Sequence, residues 1–425
     1  MKTKQSLAKV QKDVPCPFCS IHCDDLVIQN QSGKLKVKEN GCPISVERFE
    51  RPLAQSTPAI NGKTATLDEA ISQAAGIFKK SVEPLIAGLG TDVGGMRSVM
   101  ELADKTGSII DHMHHDGAAR NMLVLQDLGW VMTTMGEIRN RAELIIFAGT
   151  DASNYPRFYE RVVWNEQSMF NYDTAKRDIV YIGENLDTSR GKSPTGKKPT
   201  HLKCPQDEIS EVISVLHALV GGNKTQKKDE IAGIKMAHLE KLAEQMKNTR
   251  YGVIVWAPGE LDFPHAELTI QNFCEITKYL NRETRFAGFF LGGNDGGMSA
   301  NNVSAWQSGF PLRVNFSKGY PEHDLQKYAT ANVLKNKEAD ALLWISSFNP
   351  EIKPPHAKIP TIVLATADTK LDFKPDVFIP VSTPGVDHSG QMIRTDSVVS
   401  LPLKQLRNSD NPSVKEVVRR IVELV

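Results

Sequence analysis

The chain has 425 residues, of which 40% are hydrophobic and 24% are charged. This length is too great for one simple core and predicts two or three domains. The formal net charge of +1 excludes the strong basic or acidic field that recruits nucleic acid or anionic membranes. The local basic run at residues 192–198 is typical of a solvated loop.

The N-terminal residues 1–14 carry charges but no apolar stretch of signal-peptide length. No window approaches the roughly 18 apolar residues of a membrane-spanning helix. We therefore expect a cytoplasmic protein that has no membrane segment. Because thiols stay reduced in the cytoplasm, clustered cysteines predict metal ligands rather than disulfides.

The first predicted element is a cysteine-bearing module at residues 1–55. Three cysteines follow the pattern C-x2-C-x3-C, and two β-like runs at residues 24–30 and 34–40 come next. The turn residues 31–33 predict a β-hairpin. The hairpin would return a fourth cysteine to the first three, and the four are Cys16, Cys19, Cys23 and Cys42.

These four cysteines predict a metal site, for which a [4Fe–4S] cluster is our main hypothesis. Thiolates from a tight loop can bind adjacent corners of one cluster, and a distant fourth thiolate completes the set. A four-cysteine zinc site is the structural alternative, although the second C-x2-C of zinc ribbons is absent. A site without metal is the third possibility. Cys204 and Cys274 are isolated, and Cys274 is typical of a core thiol.

Helices and strands alternate from about residue 55 onward. Thr66 and Glu69 form a capping box that predicts a helix start. Before residue 200 we predict helices at 67–80, 95–107 and 117–129, and strands at 84–90, 108–111 and 142–150. From residue 251 we predict strands at 251–259, 284–294, 339–350, 359–366 and 375–382, a helix at 265–280, a hairpin at 390–403 and a closing helix at 412–425.

Apolar strands placed between helices indicate parallel strands in doubly wound α/β layers. We therefore predict an α/β fold in which the cysteine module is followed by two such layers. The first α/β domain is predicted at residues 56–250, with 200–250 as a helical connection. The second is predicted at residues 251–425 and includes the C-terminal hairpin and helix.

One short motif recurs before the predicted strands. A small residue or proline is followed by an acid and then by an apolar strand, with the acids at Glu143, Asp340 and Asp376. No longer internal repeat is present.

Several separated segments resemble a known family. Cys16-Pro17-Phe18-Cys19 with Cys23-Asp24-Asp25 resembles the start of the B subunit of formylmethanofuran dehydrogenase. Further segments resemble the same family in the same order, at residues 125–129, 135–142, 149–157, 305–311, 316–321, 376–381 and 390–396. The resemblance covers nearly the whole chain. It implies a molybdopterin oxidoreductase fold similar to that of formate dehydrogenases.

The sequence departs from the family at the metal-binding position. Catalytic members carry a cysteine that ligates molybdenum or tungsten, followed by histidine and glycine, shortly after an Asp-His pair. That pair resembles Asp111-His112, so Gly117 stands where the cysteine is expected and Ala118 where the histidine is expected. No cysteine lies between Cys42 and Cys204. The resemblance therefore implies no catalytic residue in this chain and no bound molybdopterin or tungstopterin.

The chain is thus more similar to the B subunit of the formyltransferase/hydrolase complex of methylotrophic bacteria. This implies a place in tetrahydromethanopterin-linked one-carbon metabolism, between formaldehyde and formate. An amidohydrolase-type subunit and a transferase subunit would be the catalytic partners, and this chain would be a structural subunit. The alternative is a working molybdopterin- or tungstopterin-dependent formylmethanofuran dehydrogenase subunit, which the retained cysteines favour.

Two glycine-containing turns follow predicted strands and are candidate cofactor-binding residues. They are Gly149-Thr150 and Gly292-Gly293-Asn294. Backbone N–H groups in such turns can approach a phosphate, as in nucleotide or pterin diphosphate sites. A plain tight turn explains each of them equally simply.

Three histidines, His112, His114 and His115, precede the predicted helix at 117–129. Adjacent residues point in different directions on a helix or strand, which argues against a shared metal for His114 and His115. We interpret the three as polar surface or as the lining of a vacated cofactor pocket. Metal binding, including substitute tungsten ligation, is the alternative.

Overall fold

The computed structural model describes residues 9–223 and 229–425 and divides into two compact units. Unit 1 extends to His115 and resumes from Gly293 to Val425, and unit 2 is Asp116–Gly292. Within the described ranges, no helix is long and apolar enough to cross a membrane.

The strands alternate with helices through most of the chain. In chain order they are β1 (Lys9–Val14), β2 (Leu26–Gln31), β3 (Lys34–Glu39), β4 (Ala59–Ile60), β5 (Lys63–Thr64), β6 (Pro84–Gly90), β7 (Ile109–Ile110), β8 (Leu144–Ala148), β9 (Asp178–Ile182), β10 (Thr200–Leu202), β11 (Glu230–Ile231), β12 (Ile234–Lys235), β13 (Tyr251–Trp256), β14 (Arg285–Phe290), β15 (Val314–Asn315), β16 (Glu322–His323), β17 (Ala341–Ser346), β18 (Thr361–Ala365), β19 (Val377–Pro380), β20 (Gly390–Ile393) and β21 (Ser400–Leu403).

The α-helices are α1 (Pro43–Phe49), α2 (Leu67–Lys80), α3 (Val93–Thr106), α4 (His115–Leu128), α5 (Met135–Arg141), α6 (Ile209–Val220), α7 (Met236–Asn248), α8 (Ala266–Leu280), α9 (Gly297–Ser308), α10 (Thr330–Lys335) and α11 (Val414–Leu424). The predicted capping box starts α2, because Thr66 accepts a hydrogen bond from the Glu69 N–H while the Glu69 side chain accepts one from the Thr66 N–H. The amphipathic closing helix is confirmed as α11.

Unit 1 contains a nine-stranded sheet in the order β16-β15-β7-β6-β17-β18-β19-β4-β5. The five strands from β7 to β19 are parallel, and the outer strands at both edges are antiparallel. The central strands β6, β17 and β18 are buried along their whole length. That burial matches the continuous apolar runs from which they were predicted.

Unit 2 contains a five-stranded parallel sheet in the order β10-β9-β8-β13-β14. Helices α6, α7 and α8 contribute Leu216, Leu242 and Phe273 to one apolar cluster with this sheet. The predicted α/β class is therefore confirmed for both sheets.

The predicted domain limits at residues 55 and 250 do not coincide with the division of the structure. Strand β6 pairs in parallel with β17, so Leu85 lies opposite Leu342. Along the chain, unit 2 is inserted between these two strands. Residues 200–250, predicted as a helical connection, instead contribute β10, α6 and α7 to unit 2.

The recurring acids tie parallel strands together at their starts. Asp340, just before β17, accepts hydrogen bonds from the Val82 N–H (2.7 Å) and the Glu83 N–H (3.2 Å), just before β6. Asp376, before β19, accepts from the N–H of Thr361 at the start of β18 (2.8 Å). Glu143, before β8, accepts from the Arg250 N–H before β13 (3.2 Å). Each acid therefore satisfies backbone donors of the neighbouring strand.

Candidate functional site

The predicted hairpin is confirmed, and it carries the four cysteines as one module. Strands β2 and β3 pair antiparallel, and β1 adds a third strand. The Cys16 N–H donates to the Cys23 carbonyl oxygen at 2.7 Å, which closes the loop between them. The side chains of Cys16, Cys19 and Cys23 are at most 7% exposed, and Cys42 is half-buried.

Cys42 also starts a helix. It is the N-cap of α1, and its Sγ accepts a hydrogen bond from the Ser45 N–H at 3.4 Å. Backbone N–H groups at a helix start favour a negatively charged sulfur. The fourth cysteine is thus placed by helix capping, whereas the first three are placed by a loop.

Burial raises the pKa of the Cys16 thiol well above its ordinary value, and the neighbouring sulfurs of Cys19, Cys23 and Cys42 raise it further. The same causes, with burial the largest, raise the pKa of Cys19 to about 12. The four sulfurs are therefore close enough to interact electrostatically. Metal binding would require loss of these protons, because the thiolate is the ligand form.

The donor set of four thiols suits an iron–sulfur cluster or zinc. Across residues 9–223 and 229–425, no group of three or more His, Cys, Asp or Glu side chains is arranged to hold a metal ion. The metal prediction for Cys16, Cys19, Cys23 and Cys42 thus stays a prediction.

The cysteine loop is fastened to the rest of unit 1 by hydrogen bonds from both sides of Ser20. The Ser20 N–H donates to Asn294 Oδ1 at 3.0 Å. The Ser20 carbonyl oxygen accepts from the Thr395 N–H at 2.8 Å. Asn294, a predicted cofactor-binding residue, therefore has a structural partner in the cysteine loop.

A buried charge cluster joins α1 to the turn before α9. Arg48 Nη1 lies 3.3 Å from Asp295 Oδ1, and His114 Nε2 lies 2.9 Å from Asp295 Oδ2. The Asp295 carbonyl oxygen is 3.2 Å from His112 Nε2. Burial raises the pKa of the Asp295 carboxyl, but the contacts with His114 and Arg48 outweigh it and hold that pKa below its ordinary value.

Of the three histidines, His112 and His115 are each 3% exposed, so the surface alternative is wrong for them, whereas the lining of a vacated pocket stays a prediction. His114 has 44% of its side chain exposed. His112 follows the buried strand β7, and His115 is the first residue of α4. The structure brings His112 and His114 to Asp295.

The buried His112 predicts loss of stability in acid. Burial, reinforced by His114, lowers the pKa of His112 from 6.5 to about 3, with the Asp295 carbonyl and carboxylate acting in the opposite direction. In the unfolded chain, the imidazole of residue 112 takes up a proton below about pH 6.5, whereas in the folded chain it does not. The free energy of unfolding therefore falls as pH decreases from about 6.5 towards 3.

We expect His112→Gln to remove the part of the pH dependence of the unfolding free energy that His112 causes. Between about pH 7 and pH 5, the unfolding free energy of the wild type should fall by about 2 kcal/mol more than that of the variant. Denaturant unfolding at both pH values measures the difference. The exposed His238→Gln serves as control, and equal pH dependence of wild type and His112→Gln would contradict the assignment.

The Gly149-Thr150 turn follows β8 at the carboxyl edge of the unit 2 sheet, and packing explains its glycine. Gly149 has a φ of +67°, and a Cβ there would lie 2.5 Å from Leu261 Cδ2 and 3.2 Å from Ile209 Cδ1. Thr150 is fully buried, and its Oγ1 accepts from the Ala152 N–H at 3.1 Å. Close packing therefore requires glycine at position 149, and cofactor binding by Gly149 and Thr150 stays a prediction.

The second predicted glycine turn crosses the division of the chain. Gly293, in unit 1, has a φ of +86°, and a Cβ there would lie 2.7 Å from Met298 Cβ. Gly292, in unit 2, would make ordinary contacts, the nearest at 3.7 Å to Phe290. Local packing therefore requires glycine at 293 but not at 292.

Gly117 lies in the first turn of α4 and faces a backbone turn of unit 2. A Cβ on Gly117 would lie 2.8 Å from both the Cα and the N of Gly259. Real Cβ atoms do not approach backbone so closely. Arg120, one turn further along α4, fixes this turn by donating to the Pro258 carbonyl oxygen at 2.7 Å and to Asp262 Oδ1 at 2.8 Å.

Sequence reasoning missed the Arg48–Asp295 pair. The two residues are 247 positions apart, and neither belongs to a spacing motif. The one available signal was an acid in the middle of a glycine-rich turn, where burial would demand a cationic partner.

No family model matches the sequence, but individual proteins are similar to it. The chain is 26% identical over 408 residues to the B subunit of tungsten-containing formylmethanofuran dehydrogenase 2 of Methanocaldococcus jannaschii, covering 92% of this chain and 93% of that protein. It is 27% identical over 294 residues to the B subunit of the formyltransferase/hydrolase complex Fhc of Methylorubrum extorquens, covering 68% of this chain and 74% of that protein.

The fold has a match among solved structures. A chain of the crystal structure of the formyltransferase/hydrolase complex (FhcABCD) from Methylorubrum extorquens, in complex with methylofuran, superimposes with a TM-score of 0.72 at 23% identity, covering 86% of this chain and 98% of that chain. The sequence relatives and this shared fold confirm the family predicted from the motifs. The chain is a homologue of the B subunits of the formylmethanofuran dehydrogenases and of the formyltransferase/hydrolase complex.

Proposed function

We propose that this chain is a structural B subunit of a formyltransferase/hydrolase-type complex and that it has lost the molybdenum or tungsten site. The observation that carries the proposal is Gly117. A Cβ at this position would lie 2.8 Å from the Gly259 Cα, so a side chain there requires the Pro258–Gly259 turn to shift. A metal-centred oxidoreductase needs its thiolate ligand, and surrounding residues do not replace it.

The close packing of side chains around Gly149 supports the same proposal. In open α/β sheets, ligands bind at the carboxyl ends of the strands where the strand order reverses. In unit 2 the order reverses between β8 and β13. A Cβ at Gly149 would meet Leu261 and Ile209 at this edge. The turn is closely packed, which supports a chain that carries no bound pterin.

We further propose a [4Fe–4S] cluster on Cys16, Cys19, Cys23 and Cys42. The four-thiol donor set supports it, since Cys16 and Cys23 are joined by a backbone hydrogen bond of 2.7 Å and Cys42 follows the hairpin that begins after Cys23. The cluster would hold the hairpin module together rather than relay electrons, since no metal ligand stands at Gly117. The order of modules along the chain would then resemble that of formate dehydrogenases, with a cluster module preceding the α/β layers.

The complex would transfer a formyl group from formyl-tetrahydromethanopterin to a methanofuran-like carrier and hydrolyse it to formate in the cytoplasm. An amidohydrolase-type subunit and a transferase subunit would carry out these steps. The relative in Methylorubrum extorquens, named as a component of such a complex, supports this assignment.

A second candidate function is a working tungsten- or molybdenum-dependent formylmethanofuran dehydrogenase subunit. The name of the Methanocaldococcus jannaschii relative, which matches 92% of this chain, favours it. Such a protein would need to bind its metal without a thiolate at position 117.

Metal analysis of the purified complex separates the two functions. We expect roughly four irons per chain, as one cubane cluster requires, with neither tungsten nor molybdenum and no extractable pterin. Stoichiometric tungsten or molybdenum together with pterin would refute the structural role. Stoichiometric zinc without iron would refute the cluster but leave the loss of the redox site intact.

Cys16→Ser should lower iron content and assembly more than it lowers turnover. The reason is that removing one of four ligands releases the hairpin module, while catalysis occurs on other subunits. Iron per chain, the yield of intact complex and the turnover of that intact complex are measured together. Cys274→Ser, a buried cysteine of α8, is the matched control and should keep its iron. Normal assembly with a selective loss of turnover would contradict the prediction.

A further inference from the structure

Asn40 connects the two parts of the cysteine module. It lies between β3 and α1, two residues before Cys42, and its Nδ2 donates a hydrogen bond to the Asp25 carbonyl oxygen at 2.8 Å. Asp25 itself lies two residues after Cys23. This bond therefore helps to hold the segment that carries the fourth cysteine against the loop that carries the first three.

Local structure explains why asparagine and glycine are neighbours here. Asn40 has a φ of +60°, in the left-handed region that asparagine tolerates better than most residues. A Cβ on Gly41 would lie 2.7 Å from Val37 Cγ1 and 2.9 Å from Val46 Cγ2, so a side chain there would require both valines to shift. The turn from β3 into α1 thus favours the dipeptide Asn40-Gly41.

This dipeptide is also the one in which asparagine deamidates most readily, because glycine has no side chain to hinder attack by its own amide nitrogen. Both Asn40 and Gly41 are exposed. Within residues 9–223 and 229–425, the Gly41 N–H donates to no protein group. The attacking nitrogen and the side-chain amide are therefore both open to water, which completes the reaction.

We propose that Asn40 deamidates spontaneously and that this change loosens the segment carrying Cys42. The Gly41 nitrogen bonds to the Asn40 Cγ, the Cγ–Nδ2 bond breaks, and ammonia leaves with the proton of the Gly41 N–H. Water then opens the resulting succinimide at either carbonyl group, which gives aspartate or isoaspartate. No electron is transferred, and water is the only co-reactant.

Both products lose the contact with Asp25. The donor Nδ2 leaves as ammonia and a carboxylate is gained, so the hydrogen bond to the Asp25 carbonyl oxygen is broken. In isoaspartate the main chain also passes through Cβ and becomes one atom longer. Because Gly41 lies close to Val37 and Val46, this extra atom displaces the start of α1, where the Val46 N–H donates to the Cys42 carbonyl oxygen at 2.9 Å.

Mass spectrometry of the aged, purified full-length protein measures the reaction. After incubation in warm, mildly alkaline buffer, the tryptic peptide of residues 39–48 should gain the mass of one deamidation and become a substrate of an isoaspartate methyltransferase. Asn40→Gln is the matched control and should show no gain, because its longer side chain does not close the same ring. The inference does not rest on the proposed function, since it requires neither a bound metal nor a partner subunit.

Hydrogen exchange measures the structural consequence. In Asn40→Asp, the amide groups of residues 42–49 should exchange at least about fivefold faster than in the wild type, the factor that corresponds to loss of one hydrogen bond. Asn61→Asp alters the same dipeptide in the exposed turn between β4 and β5 and should leave this exchange unchanged. Unchanged exchange in α8 shows that the variants are folded.

Two results overturn the proposal. The first is no gain of mass in residues 39–48 of the wild type, whether or not the peptide of residues 49–63, which contains Asn61-Gly62, gains it. The second is exchange of residues 42–49 at the wild-type rate in folded Asn40→Asp. The mass measurement uses the wild type, so it remains decisive where Asn40→Asp does not fold.

Discussion

Asp111→Ala should lower the free energy of unfolding by about 3–5 kcal/mol, the cost of removing one partner from a buried ion pair. Asp111 Oδ1 lies 3.0 Å from Arg313 Nε, and the two side chains are 2% and 6% exposed. The other oxygen, Oδ2, accepts from both the N–H and the Oγ1 of Thr330, each at 2.8 Å.

The expected loss comes mainly from the arginine that remains. Without the carboxylate, the buried Arg313 guanidinium loses the negative charge beside its Nε and borders an empty volume. Burial raises the pKa of the Asp111 carboxyl above its ordinary value, and Arg313 and Thr330 offset only part of this rise. The carboxylate is therefore costly by itself and is retained through its partners.

Denaturant unfolding measures this prediction. The exposed Asp410→Ala controls for loss of an aspartate and should change stability by less than about 0.5 kcal/mol. Asp111→Ala combined with Arg313→Met should recover part of the loss, since no unpaired charge is then buried. A single-variant loss below about 1 kcal/mol would show that the pair contributes little.

Asp111 also illustrates which parts of the fold the sequence predicts. The strand at residues 108–111, the capping box at Thr66 and the hairpin after Cys23 were all correct, because each depends on residues close together in the chain. The partners of Asp111 are 202 and 219 positions away. No local pattern specifies such pairs.

The division into two units could not be predicted for the same reason, since it depends on strand pairs that are distant in the sequence. Nothing local to β6 indicates that its neighbour is β17 rather than β8. Apolar strands of a parallel sheet have similar composition, and the segment between β6 and β17 contains the whole of unit 2, Asp116–Gly292. The acid before β17 was visible in the sequence as a recurring motif, and its partners at residues 82 and 83 became visible only in the structure.

For the candidate site too, the sequence indicated the residues but not their distant neighbours. The four cysteines were predicted from spacing, since a metal ligand set is conspicuous in composition. The glycines at 149 and 293 were predicted to bind a cofactor, and this stays a prediction. A Cβ would lie 2.5 Å from Leu261 Cδ2 at position 149 and 2.7 Å from Met298 Cβ at position 293, so close packing requires glycine at both. A glycine required by packing and a glycine required by a phosphate look the same in a sequence.

Gly117 is the position where this ambiguity has the largest functional consequence. Gly117→Ala should lower the unfolding free energy by about 1–3 kcal/mol, because the new methyl group is forced against the backbone of Gly259. The turn cannot move away freely, since Arg120 binds the Pro258 carbonyl oxygen and Asp262. Denaturant unfolding of the purified protein measures the effect.

Gly76→Ala is the matched control. Gly76 lies within α2, and a Cβ there would meet no atom within 4 Å. The same substitution should therefore raise stability by up to about 1 kcal/mol through helix propensity. A lower unfolding free energy for Gly117→Ala with a higher one for Gly76→Ala would attribute the loss of stability to the contact with Gly259. A higher unfolding free energy for both variants would show that the space beside Gly117 is open.

Gly117→Cys then tests the proposed loss of the redox site, because it supplies a thiol at the position where the family resemblance implies a metal-binding cysteine. A Cβ at this position would lie 2.8 Å from the Gly259 backbone, so the Pro258–Gly259 turn would have to shift before a thiol could be accommodated. We expect this variant to lose at least as much stability as Gly117→Ala and to take up no tungsten or molybdenum when it is produced with those metals and pterin. Stoichiometric metal in a stable Gly117→Cys protein would mean that the pocket is intact and that only its ligand is absent. Destabilisation without metal is the result that the proposed loss of the redox site predicts, because the Pro258–Gly259 turn then leaves no space for a side chain at position 117.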